Sequence, residues 1–439
     1  MSDRKLFAVA GRPILPSLSP VLFRSAYHRE RHVPIYTRVS VSTAAEALAF
    51  GQEAGLSGLN VTAPLKDGVF ALLDRVDETS AALGAVNTLV KEGRRFRGFN
   101  TDPAGVAGAL AGAGITAGGK RCLVLGAGGA GRAAVLALRG LGAEVVLCNR
   151  TDEKAVVAAR KLGVAAGRWA ERASVLARSD ILVSGLPRDA AAIRPEWLRP
   201  GLAVMDAAYP STPLLRMARE QGCLAVAGED WLFHQAIPAF RLLTGSDPDE
   251  TAMASALKPA RGRFSRDGLS VALIGFMGSG KTAAGRLLAE KLGLAFEDSD
   301  ERIERQTGRT VSEIFQREGE AFFREQETKA LRDILGGRTG VVCACGGGSM
   351  ENAVNRAVVT ARAIVVWLHA PPAVCRARID TATRPLLGTR LKPDGAFGEL
   401  FRARISCYAE ASDIAVGSEG PEERTARIIH EEIRRRLAD

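Results

Sequence analysis

Lys120-Arg-Cys-Leu-Val-Leu-Gly-Ala-Gly-Gly-Ala-Gly-Arg-Ala-Ala-Val-Leu-Ala-Leu-Arg-Gly-Leu-Gly142 decides the fold of the first half of the chain. Lys120–Leu125 reads as a buried parallel strand, and the residues from Arg132 onward read as a helix that ends at glycine. Between them, Gly126-Ala127-Gly128-Gly129-Ala130-Gly131 fits G-x-G-x-x-G. Its glycines permit a tight turn and let backbone N–H groups approach a pyrophosphate at the helix N-terminus. Strand, turn and helix in this order open a βαβ unit. The next strand, Glu144–Cys148, ends in Asn149-Arg150-Thr151, with Lys154 a turn later. A site for NAD usually offers a carboxylate there to the ribose 2′-hydroxyl. An amide, a guanidinium, a hydroxyl and an ammonium suit a 2′-phosphate, which favours NADP. Asp152 and Glu153 follow closely, so ion pairing with Arg150 is the alternative use of that guanidinium.

The plan repeats about 150 residues on. Leu269–Ile274 reads as a strand, Gly275-Phe-Met-Gly-Ser-Gly-Lys-Thr282 matches G-x-x-x-x-G-K-T, and AAGRLLAEKLG is helical. In such a loop the N–H groups of Gly278, Ser279, Gly280, Lys281 and Thr282 face phosphates. Lys281 neutralises β/γ charge and the Thr282 hydroxyl ligates Mg²⁺. No N-K-x-D sequence for guanine follows, so ATP is favoured over GTP. Two carboxylates at i, i+2, Asp298 and Asp300, end the next strand on one side: one suits the metal shell and the other a hydroxyl acceptor.

Two phosphate loops imply two nucleotide-binding units in a chain of 439 residues, long enough for two or three cores. Residues 1–102 have strand and helix patterns enough for a lobe of their own, completed by helices returning at about 231–258. Residues 103–230 form the Rossmann lobe and 268–439 the P-loop unit. Between them PARGRFSRD, 259–267, reads as a flexible linker. It tethers the halves without requiring their clefts to meet, and nothing in the sequence marks a packed passage between them. The net charge of +10 is spread as +7, +2 and +1 over the first half, linker and second half. That spread, with 5% aromatics, excludes a nucleic-acid stripe. No apolar run approaches the ~18 residues of a membrane helix. The first residues are too briefly apolar for a signal peptide, and seven cysteines, an odd number, argue for reduced thiols. A cytoplasmic enzyme acting on small anions is expected. The oligomeric state is left open.

Polar clusters ahead of the first glycine loop carry the remaining chemistry. Ser17-Leu-Ser19 puts two hydroxyls on one side of an extended segment. Asn60-Val-Thr62-Ala-Pro-Leu-Lys66 delivers a lysine after a proline-set turn. Asn87 closes GAVNT, and Asp102 closes GFNTD. Together they supply a lysine, a carboxylate and neutral donors suited to a polyhydroxy acid. Carbonyl reduction needs a hydride donor and a group that protonates the developing alkoxide, which a lysine beside a carboxylate can do.

With SLS, NVTAPLK, GAVNT, GFNTD, GAGGAGRAA, NRT and GEDWLFHQAIPAFRLLTG in order, residues 1–258 closely resemble shikimate dehydrogenase. The resemblance implies that Lys66 and Asp102 form the catalytic pair. It implies that Ser17 and Ser19 hold the substrate carboxylate, and Thr62, Asn87, Asp102 and Gln235 the ring hydroxyls. It adds Tyr209 as a substrate contact, with Ala207 and Gly228 beside the nicotinamide. Ser184-Gly-Leu-Pro187 departs from the family's usual Asn-x-Thr at the cofactor. Use of quinate, or of NAD, is left open.

Residues 268–439 are similar to shikimate kinase in GFMGSGKT, FEDSD, FFREQE, the Gly346–Gly348 run, TRPLL and FRARISCY. By that resemblance Asp300 would hold and help activate the acceptor hydroxyl. Arg324, Gly347 and Arg404 would bind the acceptor ring and carboxylate. Arg384 would reach over ATP from a lid, Asp298 would support Mg²⁺ through water, and Ala283, where the family more often has Thr, would meet the nucleotide through its main chain. The fold expected is α/β throughout: a substrate lobe, a Rossmann NADP lobe and a P-loop domain like the nucleoside monophosphate kinases. The paired resemblances imply reduction of 3-dehydroshikimate by NADPH to shikimate, then phosphorylation by ATP to shikimate 3-phosphate.

Overall fold

A computed structural model describes residues 4–27, 33–257, 268–337, 340–379 and 395–438. Residues 259–267 of the expected linker, and Arg384, lie outside them.

The first lobe holds β1 (Leu6–Gly11), β2 (Ile35–Ser40), β3 (Gly58–Val61), β4 (Thr88–Glu92) and β5 (Arg95–Phe99). β1–β3 are parallel, with β4 and β5 antiparallel at the far edge. The second lobe holds β6 (Arg121–Leu125), β7 (Glu144–Cys148), β8 (Ala165–Gly167), β9 (Ile181–Ser184), β10 (Ala203–Asp206) and β11 (Leu224–Val226). These form a parallel sheet in the order β11-β10-β9-β6-β7-β8, a doubly wound arrangement whose switch point lies between β6 and β9. β6 is buried along Cys122–Leu125, as a strand covered by helices on both faces must be.

One long helix, Gly228–Thr244, serves both cores. Trp231 packs into the second lobe's core, whereas Ala236, Ile237, Phe240 and Leu243 pack with Phe7 and Val9 of the first. It crosses the helix Asp102–Gly112 at two notches. A Cβ on Gly105 would lie 2.6 Å from Trp231, and one on Gly108 2.6 Å from His234. These glycines are fixed by that close approach, although both cost helix propensity.

The third lobe holds β12 (Val271–Ile274), β13 (Ala295–Asp298), β14 (Val341–Ala344), β15 (Ile364–His369) and β16 (Ile414–Gly417), ordered β13-β14-β12-β15-β16. The strand expected from Leu269 starts two residues later, at Val271. Among the described residues, no helix is long and apolar enough to cross a membrane.

The linker leaves the arrangement of the two halves open, and the sheet joins them. β16 pairs in parallel with β2, Ala415 opposite Val39 and Val416 opposite Ser40. The first and third lobes thereby share a ten-stranded sheet. Its two faces each carry a core that runs across the junction. Ala8, Val39 and Phe50 cluster with Trp367, Tyr408 and Ala415 on one face, and Val9 and Tyr36 with Ile414, Val416, Ile429 and Ile433 on the other. Ion pairs ring the junction: Arg4–Glu410 at 2.7 Å, Arg12–Glu431 at 2.6 Å and Glu46–Arg424 at 2.8 Å. An unpaired strand edge is a template for further strands. Here each half covers the other's edge.

Candidate active sites

The first site begins at Lys66. The helix Lys66–Ala71 opens there, which sets the ammonium at the lobe's inner rim, where Nζ is hydrogen-bonded to Asp102 Oδ2. Asp102 is buried at the start of the helix that crosses Gly228–Thr244. The Asn87 amide lies 2.9 Å from Thr101 Oγ1, 3.0 Å from Asp102 Oδ1 and 3.1 Å from Gln235 Oε1, three acceptors for two protons. Thr101 Oγ1 in turn lies 3.1 Å from Gln235 Oε1. The acceptors that compete there hold polar atoms in place for a ligand hydroxyl to join.

A chain of hydrogen bonds continues to the Ser17–Ser19 segment. Thr88 donates to Asn87 Oδ1 at 2.9 Å and accepts from Asn60 Nδ2 at 3.0 Å. Asn60 Oδ1 accepts the Tyr36 hydroxyl at 2.7 Å, and Ser19 reaches that same phenol. Ser17 and Ser19 hydroxyls lie 3.3 Å apart, and Tyr209 is close enough to Ser17 for that hydroxyl to act on its phenol. Burial pushes both the Tyr36 and Tyr209 phenols up, so each stays a neutral hydrogen-bonding group. Thr62 sits at the same end of the sheet, against Gly11, where a Cβ would lie 2.5 Å from its methyl group. Ser17, Ser19, Thr62, Lys66, Asn87, Asp102, Tyr209 and Gln235 thus border one region. Thr101, Tyr36 and Asn60 complete it. The first and third were visible only as neighbours inside the quoted motifs, and Tyr36 had no signal beyond being a strand aromatic.

The glycine loop faces that region. A Cβ on Gly129 would lie 3.3 Å from Lys66 Cδ, and one on Gly131 1.7 Å from Gly126 O, so the turn accepts no side chain at Gly131. Gly126 has φ +104°. A Cβ on Gly128 meets nothing within 4 Å, which leaves that side of the turn open to a ligand. Asn149 Oδ1 accepts the Ala127 N–H at 3.1 Å, and Arg150, Thr151 and Lys154 are exposed at the end of β7. Asp152 is engaged elsewhere, accepting Trp169 N–H at 2.8 Å. The atypical Ser184-Gly-Leu turn has a physical reason. A Cβ on Gly185 would lie 2.7 Å from Gly131 N, the Ser184 hydroxyl accepts the Leu186 N–H at 3.4 Å, and burial raises the pKa of Asp206, paired with Ser184 across the sheet. Ala207 and Gly228 abut: a Cβ on Gly228 would lie 2.9 Å from Ala207 O. Arg132 clamps the two lobes, donating to Asp67 at 2.6 Å, Leu83 O at 2.9 Å and Ala127 O at 2.8 Å.

In the second site Gly275, Gly278 and Gly280 have φ of +145°, +77° and +82°, which close the loop ahead of the helix Lys281–Leu292. Cβ atoms on Gly275 and Gly278 would lie 2.4 Å from Leu368 O and 2.3 Å from Cys375 O. Lys281 arches over the loop, its Nζ donating to Gly275 O at 3.0 Å and Phe276 O at 2.9 Å. Ser279 is buried inside the loop and Ala283 is exposed on the helix's first turn. Thr282 Oγ1 donates to Asp298 Oδ2 at 2.8 Å, and Asp298 Oδ1 accepts Asp300 N–H at 3.0 Å. A hydroxyl and one carboxylate are hard oxygen donors of the kind that hold a largely hydrated Mg²⁺ beside phosphates.

The glycine run after β14 gathers the other residues. A Cβ on Gly346 would lie 2.8 Å from Asp300 Oδ1, and one on Gly348 2.7 Å from Arg324 Nη2. Gly347 O accepts the Tyr408 hydroxyl. Arg324 pairs with Glu327 at 3.1 Å and Glu320 at 3.3 Å, and those carboxylates raise its pKa against the effect of burial. Glu327, fully buried, also accepts Ser349 Oγ at 2.6 Å. Arg404 is buried, paired with Glu351 at 2.6 Å and over the Phe276 ring at 5.7 Å. Asp300, Arg324, Gly347 and Arg404 therefore surround one mouth of the P-loop. Glu327 was hidden in sequence because a glutamate in FFREQE reads as a solvated helix face.

The comparisons agree in both halves. The family models matched are shikimate dehydrogenase substrate binding domain over residues 9–89, shikimate / quinate 5-dehydrogenase over 110–210, and shikimate kinase over 277–435. A shikimate dehydrogenase (NADP(+)) of Moorella thermoacetica is 36% identical over 279 residues, 59% of this chain and 95% of that protein. Shikimate dehydrogenase from Aquifex aeolicus superposes with TM-score 0.56 at 30% identity, covering 59% of this chain and 99% of its own. The Thermus thermophilus enzyme, solved with NADP(H) and shikimate, gives 0.52 at 32%, covering 57% and 98%. The chain belongs to the shikimate dehydrogenase family and carries a shikimate kinase domain on the same polypeptide, which makes it a bifunctional oxidoreductase and kinase of the shikimate pathway.

Proposed function

We propose that residues up to 257 reduce 3-dehydroshikimate with NADPH to shikimate, and that residues 268–439 phosphorylate shikimate with ATP to shikimate 3-phosphate. The observation that carries the reading is the Lys66–Asp102 pair seated against Gly129 of the dinucleotide turn, which brings a proton donor beside the nucleotide loop. Bound NADPH supplies the hydride. Lys66 donates a hydrogen bond to the carbonyl oxygen and gives its proton to the alkoxide that forms there. Asp102 orients the ammonium and, with Asn87, Thr62 and Gln235, accepts or donates to ring hydroxyls. Ser17 and Ser19 hold the carboxylate, with Tyr209 beside them. Gly126–Gly131, Asn149, Arg150, Thr151 and Lys154 would hold NADPH, its 2′-phosphate at the last four, with Ala207 and Gly228 near the nicotinamide.

ATP supplies the phosphoryl group to the kinase half, and Thr282 and Asp298 would hold the Mg²⁺ that offsets phosphate charge. Asp300 orients the attacking hydroxyl and accepts its proton. Lys281 would leave the loop carbonyls for the phosphates, where its charge stabilises the transferring group. Arg324 and Arg404 offer guanidinium groups to the acceptor's carboxylate. The test is a single coupled reaction of the purified chain with 3-dehydroshikimate, NADPH and ATP–Mg²⁺. NADPH oxidation accompanied by shikimate 3-phosphate is expected. Accumulation of shikimate without phosphorylation, or no oxidation of NADPH, would overturn the corresponding half of the proposal.

A further inference from the structure

Glu432 belongs by sequence to the kinase half, on its last helix, Glu422–Ala438, yet among the described residues its carboxylate bonds to the dehydrogenase half. It is buried, 1% exposed, and Oε2 accepts the N–H groups of Ile14 at 2.9 Å and Leu15 at 3.0 Å. Oε1 accepts the Ser40 hydroxyl at 2.6 Å. Ile14 and Leu15 lie in the connection between β1 and the helix Ser19–Ser25, just ahead of Ser17 and Ser19. Their N–H groups are buried with their side chains, and a buried amide without an acceptor is costly, so this connection relies on the carboxylate for its shape.

A second tether reaches the same place. Arg38 on β2 donates from Nε and Nη2 to Ser17 O at 2.9 and 2.7 Å, and from Nη1 to Asp413 O, at the start of β16, at 3.1 Å. Ser17 N–H bonds Ile14 O at 2.9 Å, which passes the position of one anchored residue to the next. Arg12, in the same connection, adds an ion pair to Glu431 at 2.6 Å.

We infer that Glu432 is a positioning residue of the dehydrogenase: from the kinase domain it fixes the Ile14–Ser19 segment, so that substrate binding by one enzyme depends on the docked presence of the other. The inference rests on the reading that Ser17 and Ser19 hold the substrate carboxylate. Loss of the anchor lets the segment drift towards other acceptors. The hydroxyls then meet the carboxylate less well in ground and transition states alike, which raises KM and spares kcat. The dinucleotide site and the P-loop make no contact with Glu432 through its hydrogen bonds and should not respond.

The experiment uses the full chain with shikimate and NADP in initial-rate assays. Glu432→Ala should raise the KM for shikimate on the order of tenfold, with kcat, the KM for NADP and kinase turnover each within about twofold. Glu432→Gln is the rescue. Its amide oxygen can still accept both N–H groups, and its NH₂ can donate to Ser40 Oγ, so KM should stay within about threefold of the parent. Should the alanine protein fail to fold, Glu432→Asp, which retracts the carboxylate by one methylene, takes its place with the same KM-specific rise. Ser17→Ala separates the two ideas. If it raises KM while neither Glu432→Ala nor Glu432→Asp does, the positioning role is overturned and the carboxylate reading stands. If Ser17→Ala leaves KM unchanged, the carboxylate reading falls and the inference falls with it. Equal losses in shikimate binding, NADP binding and kinase turnover would reveal general destabilisation and also overturn the role.

Discussion

Lys66 and Asp102 lie thirty-six positions apart in the chain and meet at one ion pair, buried on the aspartate side. Lys66→Ala should lower dehydrogenase kcat by about 10²–10⁴, the usual contribution of a general acid, and leave kinase turnover intact. A fall under tenfold in a stopped-flow or steady-state assay would remove the lysine from the chemistry. Arg150, exposed at the end of β7 with Asp152 committed to Trp169, has its guanidinium available to a 2′-phosphate. Arg150→Ala should raise KM for NADPH about tenfold, since a charge-assisted hydrogen bond contributes ~1.5–3 kcal/mol and an exposed one the lower part of that range. The KM for NADH should barely move, and equal shifts would contradict the assignment. Such residues were legible because a lysine, an arginine or a carboxylate beside glycines and prolines has few packing reasons to be there. Glu327 and Glu432 were not, because each stands among other charged residues where a solvated face is the ordinary reading. Only burial in the folded molecule distinguishes them.

Elements were read well where periodicity and a turn signal coincide. β6 with its glycine turn, and β12 with the P-loop, needed only local rules. The helix Gly228–Thr244 defied one of them: Pro238 lies inside it, and it continues because Ala236, Ile237, Phe240 and Leu243 are buried on both sides of the proline. β15 brings a consequence for pH. Its last residue, His369, is buried against the Phe50, Trp367 and Phe401 rings, and burial pushes its pKa down from 6.5 to about 4. Glu53 lies 3.9 Å away, and its own carboxyl is raised by burial, with Glu419 adding to it. The unfolded chain therefore binds a proton at His369 below pH ~6.5 that the folded chain refuses until pH ~4. This histidine's contribution to stability is whole above pH 6.5 and is lost as pH falls towards 4, by at most ~3 kcal/mol. The melting temperature of the wild type should fall more between pH 7 and 4.5 than that of His369→Phe. Parallel curves would show that His369 does not titrate in this window.

Pairing between two sheet edges leaves no local trace, which is why the junction of β2 and β16 escaped the sequence. Both strands read as ordinary buried strands, and the intervening 259–267 segment suggested only a tether. A chain ending at residue 257 would lose the cover on β2 and bare Val39 and Tyr36, together with Ile14 and Leu15, which Glu432 anchors. Exposed edges of this kind associate. Truncation should lower the melting temperature by several degrees and produce oligomers on size-exclusion chromatography. A monomer as stable as the full chain would show that the junction adds nothing to the first half. The shared sheet also bears on how this gene can change over generations. A lineage supplied with the kinase product from elsewhere could let the P-loop mutate without penalty, yet deleting the kinase-coding region would strip the strand that covers β2 and the glutamate bonded to Ile14 and Leu15. Descendants that have abandoned phosphorylation should therefore still carry the whole domain, its hydrophobic core and Glu432 under purifying selection after its P-loop has decayed.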